Sequence, residues 1–260
     1  MHEYHEVNRK HWNQRTEAHF KHPHYRVREF LDGQTTLHQL ELSEVGDVRG
    51  KSLLHLQCHF GLDTLSWARL GAKVTGVDIS DRSIERANEL ATKANLQARF
   101  IRSDIFDVRD VLKGQFDIVF ASYGVKWWIS DIDRWAEIVA GYVKKGGFFY
   151  LAEFHPVLSM LGGNKDIIEP YFHQPEAERY TNEKDYCDEN LVIEEEYGWR
   201  WTLGDIVTAL IKAGLTIEFL HEFPYCICDS WRTFVKEGDF WYYPDLKKDV
   251  PLMYSVKASK

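Results

Sequence analysis

A strand, a tight loop, a helix and a second strand that ends in an acid follow one another in LLHLQCHFGLDTLSWARLGAKVTGVDIS, residues 53–80. The apolar run at 52–58 is bounded by charge and loop, which predicts a buried strand. A helix that Asp63-Thr64 can cap and Gly71 can end separates it from the second strand, KVTGVD, at 73–78. Strands joined through a helix lie parallel, so this stretch predicts an α/β fold.

The alternation of strands and helices continues to residue 154. Ser80 or Asp81 can cap a second helix, and a third over 131–147 has an acidic start, two lysines near its end and a glycine stop. Strands separated by helices predict a parallel sheet with helices on both faces. The other predicted strands lie at 98–104, 116–122 and 148–154, then after a helix within 202–223, and at 250–259.

Two segments depart from this alternation. Residues 1–45 show an amphipathic helical pattern and predict an N-terminal helical cap. Residues 156–200 mix acids with aromatic side chains and glycines, which fits either a solvated loop or a lid over a substrate site. The aromatic content favours the lid over plain disorder. We therefore expect a cap at 1–45 and one α/β domain at 46–260, with a lid insertion at about 156–200.

Charge and composition narrow the partners. The formal charge of −8 and the pI near 5.8 give a field that repels nucleic acid. No apolar stretch approaches the roughly 20 residues of a membrane helix, and the polar N-terminus is no signal peptide. The four cysteines fit reduced thiols. We expect a cytoplasmic protein, a monomer or a homodimer, without nucleic-acid or membrane partners.

Candidate ligand-binding residues follow the predicted strands. In open α/β sheets, ligands bind beyond the carboxyl ends of the strands, where the strand order reverses. Asp78 ends the second strand, and its carboxylate can accept two hydrogen bonds from a ribose diol. Asp104 follows the third strand and can accept from an adenine amino group. The structural alternatives are a helix cap for Asp78 and a surface turn for Asp104.

The ordered set of motifs resembles one family, the class I S-adenosylmethionine-dependent methyltransferases. LLHLQCHFG corresponds to the first strand and the loop after it in this family. VTGVD corresponds to the second strand with its terminal acid, and FIRSD to the third strand with the acid that follows it. FDIVFAS and VKKGGFFYLAEFHP resemble their fourth strand, helix end and fifth strand. The resemblance covers about residues 50–155. It implies a Rossmann-like, seven-strand, mostly parallel sheet and S-adenosylmethionine as cofactor.

The resemblance also assigns residues to parts of the cofactor. Asp78 would hold the ribose hydroxyls, Asp104 the adenine amine and Ile105 the adenine ring. The loop backbone would pass close to the methionine moiety, and Ser122 would lie near the sulfonium. The implied cofactor-binding set is Gln57, His59, Gly61, Asp78, Ile79, Asp104, Ile105 and Ser122.

The first loop departs from the family pattern. Gln57 and His59 stand where the family has glycine, His55 stands where it often has an acid, and Gly61 alone is retained. Glycine at such places allows positive φ and close backbone approach. S-adenosylmethionine has no pyrophosphate, so its loop needs this less than a dinucleotide loop does. The sequence leaves open whether Gln57 and His59 touch the ligand or only shape the turn.

Methyl transfer is an in-line displacement that needs alignment more than a base. His155, directly after the fifth strand, is the candidate base, with a structural histidine as the alternative. Tyr123, Trp127 and Trp128 follow the fourth strand, where the acceptor should approach. The histidines of the N-terminal segment and the pair Cys226 and Cys228 lack metal-binding spacing, so we expect no metal.

These features predict methyl transfer to N or O of a small molecule. The stretch ASYGVKWW after the fourth strand has no Asn-Pro-Pro-Tyr-like motif, which argues against adenine amines and glutamine amides as acceptors. A nicotinamide-dependent oxidoreductase is a weaker alternative, because QCHFGL lacks G-x-G-x-x-G. A noncatalytic protein that binds S-adenosylmethionine is the other alternative.

Overall fold

The computed structural model describes residues 3–162, 166–229, 234–244, 246 and 249–260. Residues 1–2 of the expected cap and 163–165 of the expected lid lie outside the described residues. The chain divides into two compact units. The first comprises Met1–Ala121, Gly141–Phe148 and Glu178–Tyr197, and the second comprises Ser122–Ala140, Phe149–Ala177 and Gly198–Lys260.

Helices occupy the stretch where the cap is expected and alternate with strands after it. Ser80 accepts a hydrogen bond from the Ser83 N–H and caps the helix that follows the second strand, as predicted. The α-helices of the described residues are α1 Glu3–Lys21, α2 Val27–Leu31, α3 Gln39–Val45, α4 Leu62–Arg69, α5 Asp81–Lys93, α6 Val108–Val111, α7 Ile132–Tyr142, α8 Pro156–Met160 and α9 Leu203–Lys212.

Seven strands form one sheet in the order β3-β2-β1-β4-β5-β11-β8, which confirms the predicted mostly parallel, Rossmann-like fold. The pairs β1–β2, β2–β3 and β1–β4 are parallel, and β8–β11 is antiparallel. Two small sheets pair β6 with β7 and β9 with β10. The strands are β1 Ser52–Leu56, β2 Lys73–Asp78, β3 Ala98–Arg102, β4 Phe116–Ser122, β5 Val143–Phe154, β6 Glu178–Lys184, β7 Val192–Gly198, β8 Thr216–Phe223, β9 Val235–Glu237, β10 Phe240–Tyr242 and β11 Met253–Ser259.

Two predicted helix boundaries were wrong, and three predicted strands are shorter: β1 ends at Leu56, β3 ends at Arg102 and β11 begins at Met253. The helix expected over 131–147 ends at Tyr142, and β5 begins at Val143. The glycines at its end explain this: a side chain on Gly147 would meet the Asp117 carbonyl oxygen at 2.6 Å, so the backbones approach closely there. The helix expected to be capped by Asp63-Thr64 begins at Leu62 instead, after Gly61 with a φ of 77°. The left-handed glycine turns the chain into α4 without a side-chain cap.

The core of the first unit forms around β1. Leu53, Leu54 and Leu56 are fully buried in that strand, as is Trp67 of α4. In the second unit, Trp135 of α7 packs edge-on against Phe149 at a ring-centroid distance of 5.5 Å. Burial of such side chains stabilises each by about 1.5–3 kcal/mol relative to exposure.

His55 is the polar exception within β1. Its side chain is buried, and its Nδ1 lies 2.8 Å from the Thr64 hydroxyl, so the two form a hydrogen bond. Burial lowers the pKa of His55 to about 4, although the charge of Asp63 acts in the opposite direction. The folded protein therefore holds a neutral imidazole in its core.

We predict that His55 makes the protein acid-sensitive. The unfolded chain binds the proton first as the pH falls below about 6.5, so the free energy of unfolding falls between there and about pH 4. His55 should account for about 2 kcal/mol of loss between pH 7 and 5. In urea unfolding, His55→Asn should reduce this loss and the exposed control His221→Asn should not. An unchanged pH slope in His55→Asn would contradict the prediction.

Candidate functional site

The loop after β1 adopts the backbone of a glycine-rich loop without its glycines. Gln57, His59 and Gly61 have φ values of 55°, 51° and 77°. This left-handed conformation costs a non-glycine residue about 1–2 kcal/mol. The backbone at positions 57 and 59 thus keeps the positive φ that glycine adopts in the family pattern. The departure from that pattern adds two side chains and the backbone strain that they cause.

Asp78 ties this loop to the end of β2. Its Oδ2 accepts the His59 backbone N–H at 2.7 Å, and its Oδ1 accepts that of Ser80 at 2.9 Å. Ser80, rather than Asp78, caps α5, so the alternative role of Asp78 as the helix cap is wrong. Burial raises the pKa of Asp78 to about 6, despite these N–H donors. Each carboxylate oxygen has a second lone pair, so the group can still accept from a ligand.

Gly61 is required by both its conformation and its surroundings. A Cβ at Gly61 would lie 2.7 Å from the Phe100 ring and 3.1 Å from the Ala87 Cβ. A Cβ at Gly76 of β2 would meet the same ring at 2.7 Å. The Phe100 ring therefore packs directly against the backbone of the loop and of β2, and a side chain at either glycine would collide with it.

The His59 ring packs against aromatic side chains of the N-terminal segment. Its centroid lies 5.2 Å from that of Trp12, 5.3 Å from that of His19 and 5.4 Å from that of Tyr25. Burial, together with the charges of His19 and Arg15, places the pKa of His59 well below its ordinary range. These contacts give the His59 side chain a packing role, and its backbone N–H is the group that meets Asp78.

Asp104 is buried under α1. Its Oδ2 lies 2.7 Å from Nδ1 of His5, and its Oδ1 accepts the Phe106 N–H at 3.0 Å. The surface-turn alternative is therefore wrong. Burial alone would raise the pKa of Asp104, but the hydrogen bond with His5 and its charge leave the pKa below the ordinary value. Ile105 is also buried, and the His5 ring stacks on Phe106 at 5.4 Å.

A network of ion pairs between α1 and the β6–β7 segment was not predicted from the sequence. The Arg15 guanidinium lies 2.8 Å from Glu196 and 3.3 Å from Asp185. His11 lies 3.3 Å from Glu196, and His19 lies 3.0 Å from Asp185. The three basic residues recur every fourth position, which places them on one helix face. That spacing was the available signal, but no sequence pattern identified the acids that they would meet.

His19, Asp185 and Cys187 also bring three donor atoms within 4.8 Å of one another. This is a metal-type set of ligands, which the spacing of the N-terminal histidines did not reveal. The guanidinium of Arg15 lies 3.3 Å from the same Asp185 oxygen that faces His19. A positive charge is thus already supplied there by the chain, which favours the ion-pair network over a bound cation.

In the second unit, Glu153 holds the loop after β4. Its Oε1 accepts the N–H groups of Gly124 and Phe154 at 2.6 and 2.7 Å. Its Oε2 accepts those of Val125 and Lys126 at 2.7 and 3.1 Å. The side chain is fully buried, so its charge is distributed over four backbone donors. Glu153 fixes the loop that begins after Ser122, which is buried at the end of β4.

This loop carries the predicted acceptor-binding residues. Tyr123 has a φ of 45° and packs near Phe154, with ring centroids 5.8 Å apart. Trp127 and Trp128 form a single helical turn with Lys126. Trp127 borders a cleft together with Trp199 and residues that follow it. Tyr123 and Trp128 do not line that cleft.

His155 has a structural role in the same unit. Its Nδ1 accepts the Val157 N–H at 3.1 Å and caps α8, and its Nε2 lies 3.0 Å from Oε1 of Glu222. Burial and the charge of Lys126 lower the pKa of His155 to about 4. A neutral, weakly basic imidazole that caps a helix matches the structural alternative, and the geometry gives no support to its role as a base.

The fold defines the class, an α/β protein with a Rossmann-like, mostly parallel seven-strand sheet. Residues 54–151 match the family model described as a methyltransferase domain. A solved structure from Listeria monocytogenes, proposed to be an S-adenosylmethionine-dependent methyltransferase, is 20% identical with a TM-score of 0.60, covering 85% of this chain and 95% of that one. An S-adenosylmethionine-dependent methyltransferase from Mesorhizobium loti is 22% identical with a TM-score of 0.54, covering 88% and 100%. Residues 54–151 are thus similar to a methyltransferase domain, and the two solved structures share the fold of this chain.

Relatives by sequence share only part of their length with this chain. The ubiquinone biosynthesis O-methyltransferase of Shewanella pealeana is 28% identical over 107 residues, which is 41% of this chain and 45% of that protein. A Methanocaldococcus jannaschii protein whose name proposes an N5-glutamine methyltransferase is 29% identical over 150 residues, or 50% and 72%. The described helices include none long and apolar enough to cross a membrane.

We predict that Gln57 carries strain that glycine would relieve. Gln57→Gly and Gln57→Ala remove the same side-chain contacts and differ in backbone freedom. Gln57→Gly should be more stable than Gln57→Ala by about 1 kcal/mol in urea unfolding, because φ is positive there. At the exposed control Gln97, which has no positive φ, alanine should be the more stable replacement. If alanine is the more stable replacement at Gln57 as well as at Gln97, the prediction of backbone strain at Gln57 is wrong.

Proposed function

We propose that this protein transfers a methyl group from S-adenosylmethionine to a nitrogen or oxygen atom of a small molecule. One observation carries the proposal: a left-handed loop after β1 is bonded through the His59 N–H to the carboxylate that ends β2. That carboxylate keeps lone pairs for a diol, next to a backbone shaped like a glycine loop. The O-methyltransferase relatives support an oxygen acceptor.

Asp78 is the proposed ribose ligand. Its carboxylate accepts two backbone N–H groups, which orient it, and the remaining lone pairs accept the two ribose hydroxyls. Ile79, directly after it, is half-buried and offers an apolar surface to the nucleoside. The backbone from Gln57 to Gly61 faces the methionine moiety, and Ser122 is assigned to the sulfonium end.

Asp104 and Ile105 are the proposed adenine contacts. The Asp104 oxygens already meet His5 and the Phe106 N–H, so an adenine amine shares this carboxylate with His5 or displaces it. His5 lies in α1, and α1 is held to the β6–β7 segment by Arg15 and Asn8. We propose that α1 and this segment together cover the bound nucleoside.

The chemistry that we assign to the chain is mainly alignment. Bound S-adenosylmethionine supplies a methyl group already activated by a sulfonium. Holding the acceptor in line with that methyl is worth about 7–11 kcal/mol, which makes a strong base unnecessary. The capping role of His155 fits this view, because its lowered pKa and its bond to Val157 make it a poor proton acceptor.

We predict that Asp78→Asn weakens binding of S-adenosylhomocysteine at least tenfold. The amide keeps the size of the side chain but loses the negative charge and one acceptor oxygen. It therefore cannot accept hydrogen bonds from both backbone N–H groups and from both ribose hydroxyls. Isothermal titration calorimetry at pH 7.5 measures the affinity. Asp110→Asn, a neutralised exposed acid of α6, is the matched control and should bind as wild type does. Equal affinities in the two variants would remove Asp78 from the ribose site.

We also predict that cofactor affinity falls in mild acid. The pKa of Asp78 is about 6, so its carboxylate is ionised at pH 7.5 and mostly protonated at pH 5. Binding of S-adenosylhomocysteine, measured by calorimetry, should weaken about tenfold over that interval, since a protonated carboxyl is a poorer acceptor. Asp78→Asn should flatten the profile. A steep profile in Asp78→Asn would assign the pH dependence to another group.

An activity test distinguishes a methyltransferase from a noncatalytic protein that only binds S-adenosylmethionine. Wild-type protein with radiolabelled S-adenosylmethionine should transfer label to at least one member of a panel of small phenols, amines and carboxylic acids. Binding of S-adenosylhomocysteine without transfer to any of them would favour the noncatalytic alternative. Tight NADH binding in place of S-adenosylhomocysteine binding would overturn the cofactor assignment.

A further inference from the structure

Two cysteine thiols lie side by side in the second unit. The Sγ atoms of Cys226 and Cys228 are 3.9 Å apart, which is within the range of a hydrogen bond between two sulfur atoms. A disulfide joins such atoms at about 2.05 Å, so these sulfurs need to approach by about 2 Å to form a bond. The chain bends at Ile227 and Cys228, and rotation of the two side chains there can close a gap of this size.

The two thiols differ in their access to solvent. Cys226 is fully buried, whereas Cys228 is half-buried. When the Cys226 thiol donates the hydrogen bond, it stabilises negative charge on the Cys228 sulfur, and the thiolate is the reactive form of cysteine. Cys228 is therefore placed to meet an oxidant from solvent, and Cys226 lies behind it within reach. An attacking cysteine and a resolving cysteine are arranged in this way.

The buried member of the pair is anchored by its backbone. The Cys226 N–H donates to the Trp241 carbonyl at 2.7 Å, and the Trp241 N–H donates to the Cys226 carbonyl at 2.8 Å. This antiparallel bridge connects Cys226 to β10. Cys228 lies outside the bridge, in the bend. Cys228 is thus the residue that moves when the sulfur atoms approach each other.

The other two cysteines are less reactive. Burial raises the pKa of Cys58 well above its ordinary value. Burial, together with the charge of Asp185, raises the pKa of Cys187 to about 12. At neutral pH both residues are therefore thiols, which oxidants attack slowly. They provide an internal contrast for the pair in the second unit.

We propose that Cys226 and Cys228 form a site of reversible oxidation, at which a hydroperoxide converts the two thiols into an intramolecular disulfide. The Cys228 thiolate attacks a peroxide oxygen and the O–O bond breaks. The alcohol or water that leaves takes the Cys228 proton, and Cys228 becomes a sulfenic acid. The Cys226 sulfur then attacks the Cys228 sulfur, the S–O bond breaks, and the Cys226 proton leaves in a water molecule.

The balance of this reaction is two electrons, which pass from the two thiols to the peroxide. A dithiol reductant returns them by thiol–disulfide exchange, so the modification is reversible. The site is independent of the proposed methyl transfer, because each residue that it uses lies in the second unit and outside the proposed cofactor-binding set.

Hydrogen peroxide and peptide mass spectrometry test the proposal. Full-length protein is treated at pH 7.5, denatured, alkylated with iodoacetamide and digested. The peptide that contains Cys226 and Cys228 should lose two hydrogens and escape alkylation, and dithiothreitol should restore both thiols. These thiols should disappear at least tenfold faster than those of Cys58 and Cys187. Cys228→Ser should leave Cys226 reduced, whereas the matched control Cys187→Ser, at the other half-buried cysteine, should still form the disulfide.

Dimedone, which labels sulfenic acids, identifies the attacking residue. Cys226→Ser should accumulate dimedone label on Cys228, because the resolving thiol is missing. Thermal melting checks that each variant is folded, and Cys228→Ser, at the half-buried position, keeps the test valid if Cys226→Ser is not folded. Persistence of both thiols in peroxide-treated wild type overturns the proposal. A disulfide from either residue to Cys58, to Cys187 or to a second chain, or equal oxidation rates at all four cysteines, overturns it as well.

Discussion

The hydrogen bond from the His59 backbone N–H to the Asp78 carboxylate is the constraint on which the first unit's candidate site depends. Of the three left-handed residues between β1 and α4, the two that are not glycine, Gln57 and His59, store strain. A charge-assisted bond of 2.7 Å offsets part of that strain and fixes the loop against β2. The same bond orients the carboxylate, so the path of the loop and the direction of the Asp78 side chain are fixed together.

Three further buried acids in the two units, Asp104, Glu196 and Glu153, each lie close to hydrogen-bond donors or basic side chains. Asp104 meets His5 and a backbone N–H, Glu196 meets Arg15, and Glu153 meets four backbone N–H groups. Burying a carboxylate without partners costs several kcal/mol, so these groups define where α1 and the loop after β4 can lie.

Much of the sheet was predictable because hydrophobic runs and glycine stops are local signals. β2 and β4 begin and end where the sequence predicted, and the acids Asp78 and Asp104 stand at the strand ends as expected. The end of the third helix was wrong, since the close approach of Gly147 to Asp117 depends on a neighbouring strand. The base assigned to His155 had no local signal against it, because the groups around it, Val157, Glu222 and Lys126, come together only in the folded unit.

The sequence by itself determined the α/β class, the cofactor implied by the family resemblance and the identity of the acids after the second and third strands. Apolar periodicity and the order of strands and helices carry the fold class and the positions of the acids, whereas the cofactor is what the resemblance of the motifs implies. Tertiary structure alone decided that Gln57 and His59 adopt glycine-like φ values, that the His59 ring packs on α1 and that Lys126 and Arg200 border one aromatic cleft. These features depend on contacts between distant residues, whose desolvation and geometry no local pattern encodes.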